Sequence, residues 1–370
     1  MKVSQHVHGT ANGNGVEGAQ LAFIFGSTAE LAKRESFDAI RRQYPEAILL
    51  GCSTAGEICG TSVLDDTLVV TAVQFENTPL QLARTSVSDM ADSQAAGEFL
   101  ARNLPHEGLR HVFVLSDGLK VNGTALSEGL KGALPDDVVV TGGLSGDGDR
   151  FSRTLVCADD VPAEGTVAAL GLYGDSLQVG FGSLGGWDPF GPDRLITRSK
   201  GNVLYELDNQ SALELYKTYL GPHAAGLPST GLLFPLELRT GDQGLVRTIL
   251  AVDEKEQSLT FAGDVPEGCY ARLMKANFER LIDGAVGAAK ASHHTLSGGS
   301  ADLAVLISCV GRKLVLKQRI EEEVEGVREV LGEGTTLAGF YSYGEISPQT
   351  PTAKCELHNQ TMTITTFGER

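Results

Sequence analysis

Short apolar runs recur along the chain, each followed by a stretch with helical periodicity and then by another apolar run. Leu21–Phe25 is of strand length and continuously apolar, and a helical pattern covers about Thr28 to Tyr44. A second strand, Ala47–Leu50, then enters Gly51-Cys-Ser-Thr-Ala-Gly56-Glu57-Ile58, and a third runs from Thr67 to Val73. Near the other end the order returns: strand Leu303–Ile307, helical Lys313–Leu331, then Gly339-Phe-Tyr-Ser-Tyr-Gly344-Glu345-Ile346, and the alternating strand Thr361–Phe367. Between them lies a third, partial copy. Val112–Leu115 leads through Ser116-Asp117-Gly118 to a helical stretch from Thr124 to Leu134, strand Val138–Thr141, the loop Gly142–Asp147 and strand Thr166–Leu172. Recurrence of one order at three places marks an internal repeat.

A strand–helix–strand segment gives a right-handed parallel pair, because the crossover helix must pack back on the sheet. A short glycine loop to the next strand gives an antiparallel return. The expected fold class is therefore α/β, with mixed sheets built from repeated strand–helix–strand–loop–strand units and helices mainly on one face. Between the second and third units the material differs. Gly182–Pro192 is a Gly/Pro-dense loop, Leu204–Leu207 is a strand end, and Ser211–Leu220 is helical. Gly244–Val252 reads as a strand carrying Arg247. A helix is expected over Ala271–Ser292, where Leu273, Ala276, Phe278, Leu281, Ile282 and Ala285 fall on one stripe. The expected division is a flexible tail over 1–20 and two domains, 21–215 and 216–370.

With 370 residues the chain is too long for one ordinary core. Its net charge of −17 repels nucleic-acid phosphates and anionic lipid, and no basic patch offsets it. No stretch approaches the ~18 uninterrupted apolar residues of a membrane helix, and residues 1–20 lack the apolar core of a signal peptide. Six scattered cysteines, with no Cys-x-x-Cys, fit reduced thiols and a cytoplasmic location.

The candidate chemistry sits on the repeated loops. Small residues from Gly51 through Ser53 let backbone N–H groups converge on a polar ligand, and Glu57 offers an acceptor for an amine. The alternative is a tight turn whose glycines serve backbone angles only. Tyr341 and Tyr343 flank the second loop beside Glu345, as aromatics with polar tips do in a pocket wall, or else as core. Arg247 is expected either to pair with a carboxylate from Glu57, Glu345 or a ligand, or to face outward from an exposed strand. These seven residues form the candidate ligand site.

Gly51–Glu57 resembles the signature of the FIST N-terminal domain, as do Asp117-Gly118, the Gly142–Asp147 loop followed by Arg150-Phe151, and Leu207-Asp208 before Ala212–Tyr216. Val246-Arg247-x-Ile-Leu250, Gly339–Ile346 and Leu357–Thr361 resemble the FIST C-terminal domain. The resemblance spans roughly residues 20 to 365 in the family's order. It implies a sensory input module for small ligands such as amino acids. No fused kinase, cyclase or methyl-accepting segment is visible, so the chain is similar to stand-alone members. Those include haem-binding nitric-oxide sensors that modulate a histidine kinase (a two-component system) or a diguanylate cyclase/phosphodiesterase. Haem b would be held non-covalently, since no Cys-x-x-Cys-His is present, with His358 or His223 as candidate axial ligands.

Enzyme motifs fail on inspection. Gly13–Gly18 fits a dinucleotide pattern but precedes its strand, no phosphate-binding Gly-x-x-x-x-Gly-Lys is present, and Gly51–Ala55 misses the nucleophile elbow. The expected function is a ligand-sensing protein, with a haem-based nitric-oxide sensor as its leading form and no catalysis of its own. An amino-acid or small-metabolite receptor and a thiol enzyme using Cys52 are the alternatives.

Overall fold

A computed structural model describes residues 1–10, 15–239, 244–296 and 300–370. Gly13 and Asn14 of the dinucleotide-like pattern lie outside the described residues. All three repeats are present. In the first, β1 (Leu21–Gly26) and β2 (Ile48–Ser53) run parallel, joined through the helix Arg34–Gln43; β3 (Glu57–Cys59) follows the glycine loop, and β4 (Leu68–Gln74) lies antiparallel to β1. The second has the same plan in β5 (Leu109–Ser116), β6 (Val139–Leu144), β7 (Val156–Ala158) and β8 (Thr166–Tyr173), with the helix Gly123–Ala133 as its crossover. The third comprises β9 (Leu303–Cys309), β10 (Thr336–Ser342), β11 (Gly344–Pro348) and β12 (Met362–Glu369), crossed over by helices Val310–Leu316 and Ile320–Leu331.

The short strand after each glycine loop leaves its own unit. β3 pairs antiparallel with β10 of the third unit, β11 with β6 of the second, and β7 with β2 of the first. Each unit thus lends a strand to another, and the exchange closes on itself. Among the described residues, three of the four sheets draw strands from both sides of residue 216, and the five-stranded sheet is built wholly from residues before it.

The side chains explain why the central strands read as unbroken apolar runs. On β1, Phe23 and Phe25 face a core shared with Phe113 and Leu115 of β5, Val305 and Ile307 of β9, and Phe340 of β10. Phe23 meets Phe113 edge-on at 5.3 Å, and Phe25 lies 4.7 Å from Phe340. The alternate residues Ala22 and Ile24 point the other way, under Leu31, Ile40 and Tyr44. A strand covered on both faces has no polar side to show.

Residues 188–275 contribute a fourth sheet of short strands with its own core around Ile196, Leu213, Tyr216 and Phe261. Two expectations are corrected by the pairing. Residues 1–20 are not wholly a loose tail: Lys2–Val7 pairs antiparallel with β4. Within it, the Gln5 amide donates to the Leu337 carbonyl at 3.0 Å. The helix expected over Ala271–Ser292 begins only at Phe278, because Tyr270–Lys275 is a strand. Ala271 and Leu273 share a buried face there with period two, a spacing that a longer helical stripe absorbs on paper.

Candidate functional site

The three glycine loops meet. Ala55 N donates to Tyr341 O and Tyr341 N to Gly56 O, both at 2.8 Å, joining the first and third loops. Gly146 N donates to Ser53 O at 2.8 Å, and the Ser53 hydroxyl donates to Gly146 O and accepts from Leu155 N, each at 2.8 Å. Ser53 is fully buried in this knot of the first and second loops. A Cβ on Gly146 would lie 2.9 Å from Ala55 N and 3.1 Å from Tyr341 O, so this glycine is where all three loops touch.

Glu57 and Glu345 hold equivalent places and do equivalent work. Thr54 Oγ1 donates to Glu57 Oε1, while Thr67 donates to Oε2 from its hydroxyl at 2.6 Å and its N–H at 3.2 Å. Likewise Ser342 Oγ donates to Glu345 Oε1 at 2.5 Å, and Thr361 donates to Oε2 from its hydroxyl at 2.9 Å and its N–H at 3.2 Å. Each carboxyl staples the loop before it to the strand after it. Both are buried, and burial raises both pKa values, that of Glu345 to about 8.

This has a measurable consequence. A carboxyl whose folded pKa exceeds its unfolded value favours folding below the unfolded value, and that contribution is lost as pH rises through the folded one. For Glu345 the window runs from about 4.5 to about 8. Buried His111 and His358, lowered by burial to about 3 and about 4, act oppositely as pH falls. Comparison of wild type with Glu345→Gln isolates the glutamate: the difference in unfolding free energy is expected to move in the variant's favour by up to ~1.4 kcal/mol per pH unit across that window. Denaturant titrations at pH 5, 6.5 and 8 check this, and a pH-independent difference refutes it.

Over the loop junction opens a cavity of about 360 Å³, lined by Ser27, Thr54–Glu57, Asp65, Asp66, Gly148–Arg150, Val310, Lys313 and Leu314. Two cations reach it. Lys313 Nζ donates to Ala55 O at 2.8 Å and to the Asp65 carboxylate, and stands 5.6 Å over the Tyr341 ring. Gly56, at φ +137°, makes room for that ammonium: a Cβ there would lie 2.3 Å from Nζ. Arg150 is held at the mouth by buried Asp147, whose Oδ1 accepts its Nε at 3.0 Å and Nη2 at 2.7 Å. Burial works against the Asp147 charge, but hydrogen bonds from Arg150, Thr28, Ser152 and Arg153 outweigh it and keep the pKa below the usual range. Asp66 and Asp149 supply exposed carboxylates at the rim.

Of the seven residues expected to share one pocket, only Glu57 lines this cavity. Tyr341 is fully buried, its hydroxyl donating to Glu323 Oε1 at 2.8 Å. Tyr343 stacks on Phe151 at 4.4 Å and lines a separate, narrower crevice. Arg247 pairs with neither glutamate. It is buried, and its guanidinium donates to the carbonyls of Asp264 and Leu357 at 3.0 Å. Gly51, Ser53 and Glu345 belong to the scaffold beneath. Cys52 is completely buried and burial raises its pKa well above the free value, which keeps the thiol protonated and out of reach.

The residues present do not fit a haem. His358 is buried in the strand Cys355–His358, with Nε2 2.9 Å from Ser347 O, and His223 is exposed on a 3₁₀ turn with its ring beside Phe234. Neither histidine lines the polar cavity, and no metal-binding cluster of His, Cys, Asp or Glu occurs among the described residues. No helix among them is long and apolar enough to cross a membrane. Sequence reasoning gave no site role to Lys313, Asp66 or Asp149, and noted Arg150 only within a family-like motif. Lys313 stands at the start of a helical stretch in the sequence, and nothing in linear order signals that three remote segments place these charges around one opening.

The FIST N domain model matches residues 20–210 and the FIST C domain model residues 212–348. An uncharacterized protein of Methanocaldococcus jannaschii is 22% identical, over 88% of this chain and 70% of its own length. Among solved structures, a chorismatase is similar at TM-score 0.37 and 10% identity, covering 99% of this chain and 97% of its own. A cyanuric acid hydrolase from A. caulinodans is similar at TM-score 0.36 and 10% identity, covering 100% and 99%. Both are named as enzymes, against the expectation of a chain without catalysis, which rested on missing linear motifs and is withdrawn. Likenesses this weak say nothing of the chemistry in the cleft. With both domain models matched across most of its length, the chain belongs to the FIST family of sensory, signal-transducing domains.

Proposed function

We propose that this protein senses a small zwitterionic metabolite of the α-amino-acid class, bound in the cavity over the loop junction. The observation that carries the reading is the mixture of charges around one opening: Lys313, held by Asp65, and Arg150, held by Asp147, on one hand, and the rim carboxylates of Asp66 and Asp149 on the other. A carboxylate is matched by the cations and an ammonium by the rim carboxylates, each contact being charge-assisted. The cavity volume of about 360 Å³ falls within the range of ligand pockets, roughly 300–1,000 Å³. Because the lining comes from all three units, an occupant binds best when they are drawn together, and that differential affinity shifts the population. The reader of that shift, in this proposal, is a separate histidine kinase or cyclic-di-GMP enzyme. Haem is not carried forward as the ligand, because neither candidate histidine is placed to hold iron.

Thermal unfolding with a panel of free amino acids tests the reading. A ligand present at 100 times its dissociation constant is expected to stabilise the protein by ~2.7 kcal/mol, seen as a rise in Tm. The rise should vanish in Lys313→Met and persist in a variant of a remote surface residue such as Glu17→Gln. A panel without any shift overturns the proposal.

A further inference from the structure

A second cavity, of about 350 Å³, adjoins the first and shares Asp149 and Leu314 with it. Its character is different. Phe151, Leu232, Leu233, Ile249, Leu250 and Leu314 supply most of its wall, with Lys317 and Thr230 at the edge. It lies where the inserted fourth sheet faces the repeat core, since Ile249 and Leu250 belong to the strand Ile249–Asp253 and Leu314 to the helix Val310–Leu316. Leu250 is left 38% exposed, large for a leucine set among apolar neighbours. Two bulky residues of this wall, Phe151 at φ +49° and Lys317 at φ +50°, occupy the left-handed region that such side chains avoid. Strain of this kind persists where surroundings impose it, and it clusters at ligand sites.

Resting on the zwitterion reading above, we infer that the two cavities are one binding site, which selects an α-amino acid with a large apolar side chain. The charged end sits between Lys313, Arg150, Asp66 and Asp149. The side chain extends past Asp149 and Leu314 into the apolar chamber. Charge complementarity fixes the head, and the absence of polar partners on most of the second wall rejects polar tails. Each buried methylene is worth about a four-fold gain in affinity, so leucine or phenylalanine is expected to bind at least tenfold tighter than alanine.

Calorimetric titration of the intact protein with alanine, leucine, phenylalanine, glutamate and hexanoate tests this. Leucine and phenylalanine should bind at least tenfold tighter than alanine, with glutamate weaker than leucine and hexanoate, which lacks the ammonium, weaker still. Leu250→Asp should bring leucine down to the level of alanine, and Leu250→Ala should fall between; unligated melting curves confirm that both variants are folded. Equal binding of alanine and leucine overturns the inference while leaving the zwitterion site intact. Hexanoate binding as tightly as leucine overturns the joined site, since the apolar chamber then acts alone. Failure of every amino acid to bind removes the zwitterion reading and this inference with it.

Discussion

Arg312→Met is expected to lower the free energy of unfolding by about 3–5 kcal/mol. Arg312 and Glu323 are both inaccessible to solvent, paired at 2.7 Å through Nη2 and at 3.1 Å through Nε. The guanidinium also donates to Gly185 O and Leu281 O at 2.6 Å each, fastening the segment that leads into the inserted sheet. On the other side Glu323 Oε1 accepts from Ser308 at 3.0 Å and from Tyr341 at 2.8 Å. Taking the cation away leaves a carboxylate in the core with hydroxyl donors but no counter-charge. The penalty belongs to that stranded charge more than to the lost contacts. Arg312→Met combined with Glu323→Leu should therefore recover much of the loss. Urea unfolding of both variants decides: equal destabilisation of the single and the double variant refutes the account.

The second large effect concerns the glycine that opens each repeated loop. A Cβ on Gly51, Gly142 or Gly339 would lie 1.8, 1.9 and 1.9 Å from the carbonyl oxygens of Ile24, Val114 and Leu306. In all three units the obstacle is the backbone of the parallel neighbour, which cannot swing aside as a side chain can. Gly142 and Gly339 also stand at φ +151° and +156°, which disfavours any L side chain. Alanine at either is expected to exceed ~4 kcal/mol, enough to remove folded protein from the soluble fraction. Gly132 is the internal control. It lies in the helix Gly123–Ala133 with nothing within 4 Å of its would-be Cβ, so alanine there should be neutral or add up to ~1 kcal/mol. Solubility and circular dichroism of the variants report the outcome, and a well-folded Gly339→Ala protein contradicts it.

Much of this scaffold was legible because its signals are local. The apolar runs at Phe23 and Val305, the helices that follow them and the glycine loops are each written within a few residues, and their repetition made the three units visible. Strand exchange was not legible. That Glu57–Cys59 pairs with Ala338–Phe340 depends on how units pack, and nothing in a three-residue segment states its partner. The candidate site suffered from the same gap. Glu57 and Glu345 stand out in sequence because they repeat, yet what they share is the stapling of a loop to its next strand in the first and third units. Residues that face the opening do not repeat: Lys313, Arg150 and Asp66 occupy unlike positions in three units. The inserted sheet was misread where Ala271 and Leu273 alternate only briefly before the helix at Phe278.

The borrowed strands also govern when the molecule can come into being. The sheet that takes in residues 57–59 needs residues 338–340 beside them, so an emerging chain holds that early segment unmatched until those residues have left the ribosome. Pairings this remote in sequence slow the search for the native state and leave unpaired edges exposed meanwhile. The five-stranded sheet of residues 2–158 needs no partner so remote, whereas the strand at 57–59 is settled only when 338–340 arrive.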